Sequence, residues 1–146
     1  MDDQIELNGT ESALLVAAVF ILGNWPFESP AARAMLTNAD RSLAEVVGDR
    51  ISARWRSALS SAGLWDSPTG QWTPDLIAKR GELEHGLQLE RDELPMSVLA
   101  LRSCAIEFAD SWGKFCVAAP GAVDWYGVGS AALEHLAERL IILHGS

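Results

Sequence analysis

The 146 residues of this chain match the length of one ordinary domain, which buries most of its apolar surface without metal ions or disulfides. A formal net charge of −9 repels a phosphate backbone, so nucleic-acid binding is disfavoured and a basic protein partner is favoured. Apolar residues make up 49% of the chain and charged residues 21%, which excludes the composition of a disordered protein. We therefore expect a single domain over residues 1–146.

Membrane, secretion and metal-binding signals are weak throughout the chain. The longest apolar run, residues 13–22, is about half as long as the roughly 20 residues that cross a bilayer. The chain begins Met1-Asp2-Asp3, where a secretory signal would be basic. Cys104 and Cys116 form no Cys-x-x-Cys pair, so neither a disulfide framework nor a zinc site is indicated. These features predict a cytoplasmic protein with no membrane span.

The segment from Thr10 to Gly23 has no polar face around its apolar centre. A helix that is apolar on every side has to be covered by the rest of the protein, so we expect it to be the buried centre of the fold. Asn8 and Glu11 have the spacing of a capping box that starts this helix. Gly23 is predicted to end it in a left-handed conformation, and Pro26 blocks its continuation.

A second helical pattern begins at Ser29-Pro30, where an N-cap precedes proline at the first helical position. Asp40 could cap a fresh start and Gly48 could bend the segment, so residues 30–62 form either one helix or two. Apolar residues at steps of three or four predict its buried side: Met35, Ala39, Leu43, Val46 or Val47, Ile51, Trp55, Ala58 or Leu59, and Ala62.

Two short alternating stretches, 5–7 and 87–89, are candidate strands that could pair with each other. Each is followed by a cap and a helical pattern, and residues 5–18 resemble residues 87–100 at an offset of 82. A duplicated strand-cap-helix unit would explain the resemblance. Chance is the favoured explanation, because strand, cap and helix is a common local order.

Three further helices are predicted. A short one opens at Thr73-Pro74-Asp75, and the last one begins at Ser130. The helix between them, from about Pro95 to Phe115, is expected to bury Val98, Leu101, Ala105, Phe108 and Trp112. The last helix has a row formed by Leu133, Leu136, Leu140 and Leu143, widened by Ile141 and Ile142. That breadth indicates a packed helix or a homodimer contact through 131–144. Together the patterns predict a mainly α, single-domain bundle of about five helices around the buried N-terminal helix.

No catalytic, cofactor or metal site is predicted. Residues 127–132 have the Gly-x-Gly-x-x-Ala spacing of dinucleotide-binding turns, but the strands of that motif are missing, which favours a plain loop and helix cap. The imidazoles of His85, His135 and His144 lack the spacing of a zinc helix. Glu82, Glu84 and His85 cluster in a predicted surface turn. Cys104 falls on the buried side of its helical pattern, so a reactive thiolate there is not expected.

Two groups of residues are candidate contacts. Trp65, Trp72 and Trp125, beside Tyr126, lie in predicted loops, where they either anchor a partner or fold back on the core. Arg50, Arg54 and Arg56 are close enough in sequence to touch one anionic ligand. The alternative for these arginines is a solvated helix face balanced by Glu45 and Asp49, which we favour.

The function favoured by these patterns is binding of another, basic protein, as an inhibitor, a bacterial immunity protein or an adaptor would do. The alternative is a small-ligand or enzymatic pocket, formed where the two aromatic loops meet the arginine segment. A homodimer through the last helix is a third hypothesis. The sequence identifies neither the partner nor the ligand.

Overall fold

The computed structural model describes residues 4–24, 27, 29–63, 79, 82–110 and 130–145. Within these ranges the chain forms two short strands and five α-helices, which confirms the predicted mainly α bundle. In chain order they are β1 (Gln4–Glu6), α1 (Gly9–Asn24), α2 (Pro30–Ala34), α3 (Asn38–Ser61), β2 (Gln88–Glu90), α4 (Leu94–Asp110) and α5 (Ser130–Gly145). A single 3₁₀ turn, Arg91–Glu93, joins β2 to α4.

The helix α1 lies at the centre of the bundle, as the sequence predicts. It packs against α3 and α4 and touches α5, and most of its aliphatic side chains are fully buried. Its coverage is incomplete on one side, because Phe20 remains 47% exposed. The predicted capping box is present: Glu11 N–H donates to Asn8 Oδ1 at 2.8 Å, and Asn8 N–H donates to Glu11 Oε1 at 3.1 Å.

The helix α1 ends near Gly23, as predicted, but Gly23 does not adopt the expected left-handed conformation. The helix continues to Asn24, and the only described glycine with positive φ is Gly63, at 73°. A Cβ atom on Gly23 would lie 3.1 Å from the backbone nitrogen of Glu45. The glycine is therefore explained by the close approach of two helices and not by backbone conformation.

Residues 30–62 form two helices. Ser29 caps α2 as predicted, with its Oγ accepting from Ala32 N–H at 3.3 Å. The N-cap of α3 is Thr37, and Asp40 is its third residue, reaching back to Thr37 N–H in a capping box. The prediction that Asp40 is the N-cap was therefore wrong by one helical turn.

The buried side of α3 also differs from the predicted row in its first half. Ala44, Val47, Ile51, Trp55 and Leu59 are buried against α1 and α4, as is Gly48, at which the helix continues unbroken. Leu43 and Val46 are 51% and 56% exposed, so they lie outside the core. In the first half of this helix two sets of apolar residues have helical spacing, and only the set with Ala44 and Val47 faces inward.

The two strands pair antiparallel, with Ile5 opposite Leu89, which confirms the predicted pairing. Leu7 N–H continues the ladder by donating to Leu87 O at 3.0 Å. Leu87 N–H does not donate back to Leu7 O, as it would in a regular ladder, but donates to Ser12 Oγ at 2.8 Å. Because Ser12 is the fourth residue of α1 and fully buried, this hydrogen bond fixes the strand pair to the central helix.

The resemblance between residues 5–18 and 87–100 has a structural counterpart in the two helix starts. The offset of 82 places Asn8 on Glu90 and Glu11 on Glu93, and the second pair forms a capping box like the first. Glu90 N–H donates to Glu93 Oε1 at 2.9 Å. The same local arrangement thus occurs twice, while duplication itself stays a hypothesis.

The helices α4 and α5 pack against each other to close the bundle. Leu101 and Ala105 of α4 are buried as predicted, and Val98 is partly buried. The Phe108 side chain and residues 111–115, with Trp112, lie outside the described parts. In α5, Leu133, Leu136 and Leu140 are buried, whereas Ile141 and Ile142 are exposed. No helix in the described ranges has the length and apolar character needed to span a bilayer.

Candidate binding surfaces

A buried carboxylate joins α3 to the segment after β2. The side chain of Glu93 is 1% exposed, and its Oε2 accepts a hydrogen bond from Arg54 Nη2. Arg50 Nη2 lies 3.6 Å from the same oxygen and 3.3 Å from Glu90 Oε2. The second guanidinium nitrogen of Arg54 donates to Gln88 O at 2.5 Å. The carboxylate therefore meets the rule that a buried charge needs both a counter-ion and hydrogen bonds.

The structure thus brings together two of the three candidate arginines, Arg50 and Arg54, on carboxylates of another segment. Arg56 is exposed and follows Arg50 by six residues, which places it on a different side of α3. An anionic ligand at Arg50 and Arg54 would have to compete with Glu90 and Glu93. These two arginines are therefore occupied as structural cations.

The carboxylates of Glu90, Asp92 and Glu93 lie within 4.8 Å of one another, a spacing that could hold a metal ion. Two of the three, Glu90 and Glu93, already contact guanidinium groups. Arginine always remains protonated and supplies the positive charge that a metal ion would supply. The group is therefore explained as an ion-pair network that fastens β2 to α3.

An open cavity of about 500 Å³ lies beside β1, and we call it the strand-edge cavity. Two side-chain contacts cross its wall, a hydrogen bond between Glu6 and His85 and an ion pair between Glu11 and Arg139. Its lining consists of Glu6, Asn8, Glu11, Glu84, His85 and Arg139. With three carboxylates facing one permanent cation and one histidine, the cavity favours positively charged groups. The sequence placed His85 and Glu84 in a surface turn, and both are exposed.

A second exposed feature lies on α3, and we call it the α3 surface. It consists of Leu43, Glu45, Val46 and Asp49, all exposed. Leu43 and Val46 are neighbours on the helix because they are three residues apart, and Asp49 follows Val46 at the same spacing. The result is an apolar pair with carboxylates along its border.

Cys104 is buried and lies in the interior between α4 and α1. Its Sγ is 3.5 Å from Ala18 O. Burial, together with the negative charge of Glu107, raises the pKa of the Cys104 thiol far above its ordinary value. The thiolate needed for nucleophilic attack is therefore suppressed at neutral pH, in agreement with the sequence-based expectation.

Several predicted features lie outside the described residues. They include the candidate interface residues Trp65, Trp72, Trp125 and Tyr126, the short helix predicted at residues 73–75, and the glycines at 127 and 129. A partner surface formed by these tryptophans stays a prediction. Ser130, the predicted cap, is the first residue of α5.

Sequence reasoning missed the two surfaces that the structure presents. Leu43 was assigned to the core, and the choice between Val46 and Val47 was left open, although the row through Ala44 and Val47 has equally good helical spacing. The strand-edge cavity joins residues up to 133 positions apart, and no local pattern signals such a combination. Comparison of the chain with family models, with curated proteins and with solved structures gives no match.

Proposed function

We propose that the protein acts by binding a basic protein partner, in the manner of an inhibitor, an immunity protein or an adaptor, and not by catalysing a reaction. The observation on which this rests is the α3 surface. Leu43 and Val46 are 51% and 56% exposed on the longest described helix. Neighbouring apolar side chains with a polar border have the composition of a protein–protein contact.

The charges around this surface select the partner. Glu45 and Asp49 make no ion pair with any residue in the described ranges. The arginines of the same helix are directed elsewhere: the Arg41 guanidinium lies 5.6 Å from the centre of the Phe27 ring, and Arg50 contacts Glu90. The formal net charge of −9 adds a long-range attraction for cations. A basic amphipathic surface therefore fits this face, whereas nucleic acid and anionic lipid would be repelled.

We also propose a cytoplasmic location, which the chemical state of Cys104 supports. Cys104 is a free and buried thiol, and such thiols persist where disulfides do not form. A reducing compartment would also keep it unmodified. The location remains part of the proposal.

The binding test starts by identifying the partner in the cells of origin. A photo-crosslinking amino acid at Ser42, which is exposed beside the apolar pair, should capture a protein with a basic contact surface. Leu43→Ser with Val46→Ser should then weaken binding of the purified partner about 30-fold, because each anchor contributes about 1 kcal/mol or more. Both substitutions replace exposed side chains, so the free energy of unfolding should change by less than about 1 kcal/mol.

A matched control is available on another helix. Ile142→Ser removes an even more exposed aliphatic side chain, 71% exposed, from α5 and should leave the affinity for the partner unchanged. Raising the salt concentration should weaken binding of the unmodified protein, since exposed charges are screened. An acidic partner, or equal affinity for the α3 variants and the unmodified protein, would refute the proposal.

The alternative function, a small-ligand pocket between the aromatic loops and the arginines of α3, stays a prediction. Two of the arginines that would contact the ligand in such a pocket, Arg50 and Arg54, already form ion pairs with Glu90 and Glu93. Thermal unfolding in the presence of phosphate tests it. A rise in melting temperature that is lost in Arg50→Gln would favour a ligand site over an ion-pair network.

A further inference from the structure

The two strands present different outer edges. In an antiparallel pair, residues that exchange ladder hydrogen bonds alternate with residues whose N–H and C=O groups point away from the partner strand. Leu7 N–H donates to Leu87 O, so the backbone N–H and C=O groups of Leu7 point toward β2. The same holds for Ile5, which lies two residues earlier in β1. The backbone groups of Gln4 and Glu6 then point toward the outer edge of β1.

The outer edge of β2 is occupied by described residues, whereas none of them occupies the outer edge of β1. Gln88 O accepts from Arg54 Nη1 at 2.5 Å, and Glu90 N–H donates to Glu93 Oε1 at 2.9 Å. No residue in the described ranges hydrogen-bonds the backbone N–H or C=O of Glu6. An exposed strand edge of this kind can pair with an extended segment of another chain.

The charges beside the open edge discriminate between occupants. The strand-edge cavity adjoins β1, and among the described residues Glu84 forms neither a hydrogen bond nor an ion pair. If a second copy of this chain paired here in the register that places the two Glu6 residues opposite each other, their like charges would repel, and the net charge of −9 on each copy adds to this repulsion. A lysine or arginine side chain on the added strand would instead meet Glu6 and Glu84.

We propose that β1 receives an extended, basic segment of a protein partner as a third strand, with a basic side chain entering the strand-edge cavity. This inference rests on the proposed function, because it assumes that the partner is a basic protein. It adds the conformation of the bound segment and the residues that recognise it. Backbone pairing supplies affinity, and Glu6 and Glu84 supply the preference for positive charge.

A synthetic probe tests this surface without the natural partner. The probe is a labelled peptide of alternating lysine and valine, added to the full chain. Saturating peptide should slow hydrogen exchange at the Glu6 amide by about tenfold or more, because the amide becomes paired. Methylating every second backbone nitrogen of the peptide keeps its charge and removes its donors, so the affinity should fall by about tenfold.

Variants of the chain separate charge from backbone pairing. Glu6→Gln with Glu84→Gln should weaken peptide binding by about threefold or more, since two attractive charges are lost. Glu90→Gln, at the occupied edge of β2, is the matched control and should leave binding unchanged. Equal binding of the methylated peptide, an unprotected Glu6 amide, or no binding at all would overturn the inference.

The two proposals fail in different experiments. The Leu43→Ser and Val46→Ser variants alter α3 alone, so they should leave peptide binding at β1 intact while they weaken binding of the natural partner. Peptide binding with an unaffected partner interaction at α3 would refute the proposed function only. Loss of partner binding in the α3 variants without protection of Glu6 would refute the third strand only.

Discussion

Replacing Gly86 with alanine tests the junction between the strand pair and α1. A Cβ atom at this position would stand 2.4 Å from Ser12 Oγ, 2.9 Å from Leu7 O and 3.0 Å from Asn8 O. Two of these three atoms belong to the backbone, so they cannot rotate away as the end of a long side chain can. The chain around Gly86 must therefore shift.

The shift threatens two hydrogen bonds, from Gly86 N–H to Leu7 O and from Leu87 N–H to Ser12 Oγ, both at 2.8 Å. Each is worth about 0.5–1.5 kcal/mol net, and overpacking costs about 1–3 kcal/mol. We therefore expect Gly86→Ala to lower the free energy of unfolding by about 2–6 kcal/mol, measured by urea denaturation with tryptophan fluorescence.

The control is Gly48→Ala, the same chemical change inside α3. Its added Cβ would lie 3.4 Å from Val19 Cγ1, an ordinary contact, and alanine favours the helix. It should stabilise the protein by up to about 1 kcal/mol. Adding Ser12→Ala to Gly86→Ala removes the shortest contact, so the double variant should cost less than the sum of the single ones. A change below about 0.5 kcal/mol in Gly86→Ala would refute the reasoning.

Three further predictions concern charge, the buried thiol and assembly. Glu93→Gln should lower the free energy of unfolding in urea by about 2–4 kcal/mol, because Arg54 loses its buried counter-ion. Glu90→Gln, at the exposed part of the network, should lower it by less than about 1 kcal/mol. Equal effects of the two substitutions would contradict the conclusion that Glu93 is the buried counter-ion. In a Cys116→Ser background, Cys104 should react with Ellman's reagent only after unfolding. Because its pKa is raised, the folded state holds the proton more tightly, so stability should fall as the pH rises above about 8.5; rapid labelling of the native thiol would contradict its burial. The homodimer hypothesis predicts sedimentation at twice 15.8 kDa, and a species of 15.8 kDa at micromolar concentration would exclude it.

The parts of the fold that follow from local chemistry were predictable. Asn8 with Glu11 and Ser29 with Pro30 are helix starts whose physical reason lies within four residues of sequence. The pairing of residues 5–7 with 87–89 followed from alternation in both segments. These features need no knowledge of distant contacts.

The parts that depend on distant contacts were not predictable. Gly23 was expected to be left-handed, because sequence cannot distinguish a glycine used for backbone conformation from one used for close approach to Glu45. On α3, rows through Leu43 and through Ala44 both have helical spacing, and only packing against α1 selects the second. The candidate surfaces share this origin, since the exposure of Leu43 and the open edge of β1 depend on which neighbours are present.

The close contact of α1 with α3 affects how a partner would be met. Gly23 lies against the backbone of Glu45, where an added Cβ atom would stand 3.1 Å from the Glu45 nitrogen, so the absence of a side chain lets the two helices approach closely at this level. A side chain at this position would force the backbones of α1 and α3 apart. Leu43 and Val46 thus project from a helix that is already held in place by packing against α1. A protein that binds them would lose little free energy in ordering the surface that it recognises.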